Sequence, residues 1–225
     1  TGSVEVGKNS VAYFVKDNGL INVSGTTKIG KDSSVFYINK GSINYTGKDI
    51  VLPDSTTGVT LIETNPGATA IDFNGKSITV GENATGIYIT GQAAVGSNTI
   101  QNLQKINVGK LGNGIYINNN NPFSTNTTLE ITGEEGIGIY STKDGNLTYG
   151  GKIDSTVTKA KGIVHTGAGD TINNGVIQLT GDSSIGAYAK GGNLLENTNK
   201  IEIAKGTTSA TAVGLYGLNQ TTVKN

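Results

Sequence analysis

Thr85-Gly86-Ile87-Tyr88-Ile89-Thr90 is the stretch whose reading decides the fold, because near-copies of it return along the whole chain. Anchored on the tyrosine, the copies fall at Tyr13, Tyr37, Leu61, Tyr88, Tyr116, Tyr140, Val164, Tyr188 and Tyr216. Successive anchors differ by 24, 24, 27, 28, 24, 24, 24 and 28, a period of 24 with three insertions of 3 or 4 residues. Recurrence at about 20 to 50 residues marks a solenoid, a propeller or an array.

The sequence between anchors narrows that choice. An aliphatic-x-aliphatic pair preceded by Asn, Asp or Gly recurs as Asp17 to Val23, Asn39 to Tyr45, Asn74 to Val80, Asn102 to Val108, Asn173 to Leu179 and Asn197 to Ile203. Leu129-Glu130-Ile131 and Ile153-Asp154-Ser155 are degraded copies. Such alternation reads as a strand with one buried face, and Asn or Gly before it supplies a left-handed turn. Twenty-four residues close one circuit of three short strands but not a propeller blade, which needs about 40. The predicted fold is therefore all-β: a right-handed parallel β-helix, about 24 residues per coil and about nine coils, with residues 1–225 forming one segment. Right-handedness follows from the preference of parallel crossovers. At the strand spacing of about 4.8 Å, nine coils make a rod on the order of 40 Å long.

Two assignments exist for the tyrosine strand. One side carries Ala12 and Phe14, Phe36 and Ile38, Thr60 and Ile62, Ile87 and Ile89, Ile115 and Ile117, and Ile139. The other carries the anchors, with a glycine two residues before most of the tyrosines. The first side is the more aliphatic and has no polar atoms to satisfy, so we place it inward and the tyrosines in an outer stripe. That stripe reads either as a ladder of stacked rings or as an aromatic platform for sugar rings or a protein receptor.

Composition excludes several classes. The 34 glycines against 3 prolines suit many tight turns, and no long stretch keeps helical spacing. All 17 basic residues are lysines and are balanced by 17 acidic ones, which argues against nucleic acid, whose recognition leans on arginine forks and clustered charge. With no cysteine there is no disulfide framework, thiolate nucleophile or Cys-ligated metal. A chain threaded unfolded through an outer-membrane pore has reason to avoid cysteine. We expect neither catalytic residues nor a metal or cofactor. His165 is the single histidine and lacks a partner to complete a ligand set. Glycosidases need two carboxylates about 5 to 9.5 Å apart, and Glu134, Glu135, Asp144, Asp154 and Asp170 read as solvated turn charges that repeat in no column. The glycines match neither a phosphate-binding loop nor a calcium-binding nonapeptide repeat.

Loops on a rigid scaffold are the usual carriers of binding. Bulges map to Pro53 through Gly58, Glu63 through Ala70, Thr90 through Asn98, Asn118 through Asn126 and Ala204 through Ala212. The run from Asn118 to Ser124 sets an apolar ring in a polar, turn-rich stretch. The candidate partner-binding residues are Tyr88, Tyr116, Tyr140, Asn119, Asn120 and Phe123.

Asn102 to Val108 followed by Gly114-Ile115-Tyr116, with the Lys, Asn and Ile bias and the missing cysteine, resembles the passenger regions of very large fusobacterial-type (type V) autotransporter adhesins. The resemblance covers essentially all 225 residues and implies an extracellular segment of a longer passenger, anchored to the bacterial outer membrane through a C-terminal barrel. It implies attachment to other bacteria or host cells through a glycan or protein receptor, and no binding residue carries over from the family. A polysaccharide-cleaving β-helix is a rival, disfavoured because the resemblance to that class would require an arginine. A non-binding spacer stalk is the other.

Overall fold

Three short aliphatic segments, separated by sharp corners, return the chain to a point directly above where it started. In the computed structural model, which describes residues 2–191, 194–203 and 211–225, 27 strands stand in three stacks of nine, all paired in parallel. The fifth coil shows the unit: Ile106–Val108 on the first face, Asn113–Ile117 on the second and Phe123–Thr125 on the third. The second face is one continuous nine-stranded sheet from Val11–Lys16 to Val213–Leu218. The first face divides into two and seven strands, the third into four and five.

Register makes the core. Ile78, Ile106, Leu129, Ile153 and Ile177 stack in one column of the first face. Ile87, Ile115, Ile139 and Ile163 stack in another, each fully buried. The chain is thus a β-solenoid of about nine coils at roughly 24 residues each, with the isoleucine side of the tyrosine strand inward. Each buried aliphatic contributes roughly 1.5 to 3 kcal/mol, summed coil by coil as in any stacked repeat.

The N-terminal coils correct the sequence reading. Tyr13 pairs with Phe36 and Phe14 with Tyr37, while Tyr37 pairs with Thr60 and Ile38 with Leu61. The outer column therefore runs Phe14, Tyr37, Thr60, Tyr88, and its first intervals are 23, 23 and 28. Two anchors, Tyr13 and Leu61, sit one residue off and face inward, because side chains alternate with period two and a slip of one swaps the faces. The inward aromatics extend the core: Tyr13 stacks on Phe36 at 5.5 Å, and Phe36 meets Tyr45 edge-on at 5.3 Å. Burial pushes the Tyr45 phenol up to about 12 while its hydroxyl donates to the Lys48 carbonyl.

A second correction concerns the aliphatic-x-aliphatic element. Leu20–Val23 and Ser42–Tyr45 belong to the third face, whereas Ile78–Val80, Ile106–Val108 and Val176–Leu179 belong to the first. Both faces use the same alternating pattern after the same kind of turn, so two columns read as one.

Two backbone columns set the corner before the second face. Asn9, Asp32, Ser55, Asn83, Leu111, Glu135, Lys159 and Ser183 all adopt left-handed φ between 53° and 60°, one per coil. Gly86, Gly114, Gly138 and Gly162 are buried rather than lying outside beneath the tyrosines, so Gly86 and Ile87 are consecutive inward residues. A methyl group on Gly86, Gly114 or Gly138 would sit 2.6 Å from the carbonyl oxygen of the next glycine in the column. Close approach of stacked backbones, not left-handed φ, is what demands glycine there.

Candidate functional site

Two of the three 28-residue circuits, from Thr60 to Tyr88 and from Tyr88 to Tyr116, spend their extra residues in the loops Glu63 to Ala70 and Thr90 to Asn98. These loops converge with the stretch from Asn118 to Asn126 beside the third face, where its sheet is split. Ile100–Gln101 ends the four-stranded sheet and Phe123–Thr125 begins the five-stranded one, and Val95, in the loop before Ile100, makes an isolated parallel bridge to Phe123. Across the split lies a groove of about 480 Å³, bounded by Pro66 and Gly67, by Ala94 through Thr99, by Pro122 through Ser124, and by Asn146 and Thr148. Two smaller hollows adjoin it. One of about 390 Å³ is formed by Gly91, Gln92, Asn118 through Asn121 and Lys143, the other of about 170 Å³ by Ser97, Ile100 and Thr125 through Thr127 with their neighbours.

The loops are pinned in place. Thr64 Oγ1 donates to the Ala94 carbonyl at 2.7 Å and accepts from the Ala94 amide at 3.0 Å. Thr99 Oγ1 accepts from the Gly96 amide at 3.0 Å, and Ser124 N donates to the Val95 carbonyl at 2.8 Å. Holding a site in one shape before a ligand arrives lowers the ordering cost of binding.

The sequence candidates divide. Phe123 is only 3% exposed and belongs to the core, and Asn119 is only 6% exposed with its Nδ2 donating to the Ala93 carbonyl at 2.6 Å. Neither offers its side chain to a partner, because both face inward at the split. Asn120 is exposed, with Oδ1 accepting from the Asp144 amide at 3.2 Å. Gln92, which lines the same hollow as Asn120, and Asn98 and Asn146, which line the groove, were not singled out in the sequence, although Asn146 lies one 24-residue period after Pro122. Of the loop from Ala204 to Ala212, residues 204–210 lie outside the described residues.

Tyr88, Tyr116 and Tyr140 form a continuous ladder on the second face. Ring centroids are 5.2 Å apart at both steps, tilted by 37° and then 14°. Neighbouring rings largely cover the faces of Tyr116, leaving edges and hydroxyls outward, which favours the ladder over a platform for sugars. Asn118 Nδ2 donates to the Tyr88 hydroxyl at 3.0 Å and ties the stripe to the groove.

Carboxylates do share one column: Glu130 pairs with Asp154 on the first face. Each is taken up by a lysine, Lys105 to Glu130 at 2.6 Å and Lys152 to Asp154 at 2.7 Å. At about 40% exposure such pairs contribute roughly 0 to 1 kcal/mol each. Glu134 and Glu135 both bind Lys159, at 3.4 and 3.0 Å, and the hydrogen bond from Lys159 holds the Glu135 carboxyl below its usual range. Asp144 Oδ1 accepts from the Ala168 amide at 2.8 Å. His165 is fully buried: Nε2 donates to the Lys143 carbonyl and Nδ1 accepts from the Thr171 hydroxyl, both at 2.8 Å. Burial pushes its pKa down, against smaller upward effects of the carbonyl and of Asp144 and Asp170. The ring is a neutral core group. A depression of about 500 Å³ also lies over the first-face break, lined by Glu5, Lys28, Lys48 and Asp49 among others, with Pro53 at its edge. Neither of the loops Glu63 to Ala70 and Thr90 to Asn98 contributes to it.

Comparison with protein-family models, curated proteins and solved structures yields no match.

Proposed function

We propose that this chain is a rod segment of a bacterial cell-surface adhesin of the autotransporter passenger type, attaching to a receptor on other bacteria or host cells through one side of the rod. One observation carries the reading: the two inserted loops, in sequential coils, emerge together and shape a single groove, while the described lysine–carboxylate pairs of the first-face column satisfy one another. A solenoid serving only as a stalk has no need for pinned loops that widen two circuits at one corner. The resemblance of the repeat to passenger regions supplies the expected context, a longer chain displayed outside the cell and anchored by a membrane barrel. Binding without turnover is the role we assign, since the paired first-face carboxylates offer no free acid and base.

Beads coated with the chain test this on host epithelial monolayers and on bacteria of other species. Attachment above that of bare beads, lost when Thr90 through Asn98 is shortened with the far-UV spectrum unchanged, is the expected result. No attachment to any surface rejects the adhesive reading in favour of a spacer, and release of reducing ends from a polysaccharide rejects it in favour of an enzyme.

A further inference from the structure

We infer that the groove across the third-face split binds a neutral oligosaccharide, an inference that rests on the adhesive reading and gives it a ligand class. Charge speaks first. Lys143 is the one ionisable residue lining the groove and its two adjoining hollows among the described residues. An acidic glycan calls for cations arranged to meet its carboxylates or sulfates, and a basic peptide calls for carboxylates. Neither set lines this groove.

Hydrogen-bonding capacity speaks second. Gln92, Asn98 and Asn120 are exposed carboxamides, and Asn146 commits Oδ1 to the Asp170 amide at 2.9 Å, leaving its Nδ2 for a ligand. Asn120 likewise commits only Oδ1. A carboxamide both donates and accepts, and so does a sugar hydroxyl, so the two pair in either sense. Asn98 and Asn146 line the groove itself together with Pro66, Ala94 and Pro122, an apolar surface for the C–H face of a pyranose, and Gln92 and Asn120 line the hollow formed by Gly91 through Lys143. Neutral polar groups around an apolar floor are the usual make-up of a small-ligand cleft.

An extended peptide adding to the open sheet edge is the competing occupant. Val95 already occupies part of that edge by accepting from Ser124 N and bridging Phe123, which removes the backbone pairing a strand would need. The edge is capped while the Nδ2 groups of Asn120 and Asn146 stay available, so the geometry favours sugar.

The test uses the full 225-residue chain against an array of neutral oligosaccharides, acidic oligosaccharides and peptides, followed by titration calorimetry on retained probes. Neutral oligosaccharides should be retained. Asn120→Asp keeps an acceptor for the Asp144 amide but removes the donor, and with Gln92→Ala it should weaken binding about tenfold or more at an unchanged thermal midpoint. Should Asn120→Asp lower the midpoint, Asn98→Ala, at an exposed side chain, carries the same test. Retention of acidic glycans or peptides alone, or neutral binding indifferent to these variants, overturns the inference. Coated beads that attach to cells, unimpeded by any neutral oligosaccharide, overturn it while leaving the adhesive reading intact; oligosaccharide binding without attachment does the reverse.

Discussion

Replacing Gly114 by alanine should destabilise the solenoid, although the same change in an ordinary strand interior helps. In a strand, alanine gains about 0.5 to 1 kcal/mol over glycine because less chain entropy is lost on folding. At position 114 the added methyl would lie 2.6 Å from the carbonyl oxygen of Gly138 and 3.1 Å from side-chain carbons of Leu129 and Val108. The carbonyl belongs to the adjacent coil and cannot retreat without disturbing the ladder that Asn113, Ile115 and Tyr116 make with Ile137, Ile139 and Tyr140. Overpacking of this kind costs about 1 to 3 kcal/mol and occasionally more. We expect a net loss of about 1 kcal/mol once the entropic gain is subtracted, which for a chain of this size lowers the thermal midpoint by roughly 2 to 4 °C. Thermal and urea unfolding followed by far-UV circular dichroism measure it. Gly96→Ala is the control: nothing lies within 4 Å of its added methyl, and it should stay within about 0.5 kcal/mol of wild type. A Gly114→Ala protein as stable as wild type would refute the claim that backbones touch along this column.

Further outcomes follow from other columns. Leu111 holds φ at 54° while 41% exposed, so Leu111→Gly should raise stability by about 1 kcal/mol in the same unfolding assay. Tyr116→Phe keeps the ring stack and should leave the midpoint nearly unchanged, whereas Tyr116→Ala removes both ring contacts and should cost about 1 to 3 kcal/mol; equal loss from both would point to the hydroxyl instead. His165 gives a pH dependence. Its folded pKa lies below the ordinary value of 6.5, so between the two the unfolded chain binds more protons and stability falls as pH drops through that window. The midpoint should fall from pH 7.5 to 5.5, and by less in His165→Gln; an equal fall in both proteins would show that the ring is not buried neutral.

The fold was legible because a solenoid repeats its signal. One isoleucine column is ambiguous, but the same pattern at Ile87, Ile115, Ile139 and Ile163 fixes both the period and the inward face. Legibility failed where aromatic and aliphatic residues exchange roles. In Val11–Lys16 both Tyr13 and Phe14 suit either face, and only the pairing of Phe14 with Tyr37 decides between them. The glycine before most of the tyrosines was visible, but its inward turn was not, since two consecutive inward residues break simple alternation. At the site, the inserted loops could be counted from the sequence, and Asn120 could be placed on the surface. Phe123 faces the core in register with Leu147, 24 residues later, and its interval of 28 from Val95 matches that from Tyr88 to Tyr116. The polar run from Asn118 to Asn121 masked this short strand in the sequence. Asn98 meets Asn146, and Gln92 meets Asn120, only once successive coils are stacked.

Spin labels along the first face test the stacking most directly, and the absence of cysteine leaves the chain free of competing labelling sites. With one label at Glu202 and the other moved through Asn107, Thr79 and Val51, pairing places the partners four, five and six coils away. Distances should rise by about 4.8 Å per coil, near 19, 24 and 29 Å. Distances that fail to climb in even steps would contradict a solenoid whose side chains stack one coil above another, and with it the convergence of the loops into one groove.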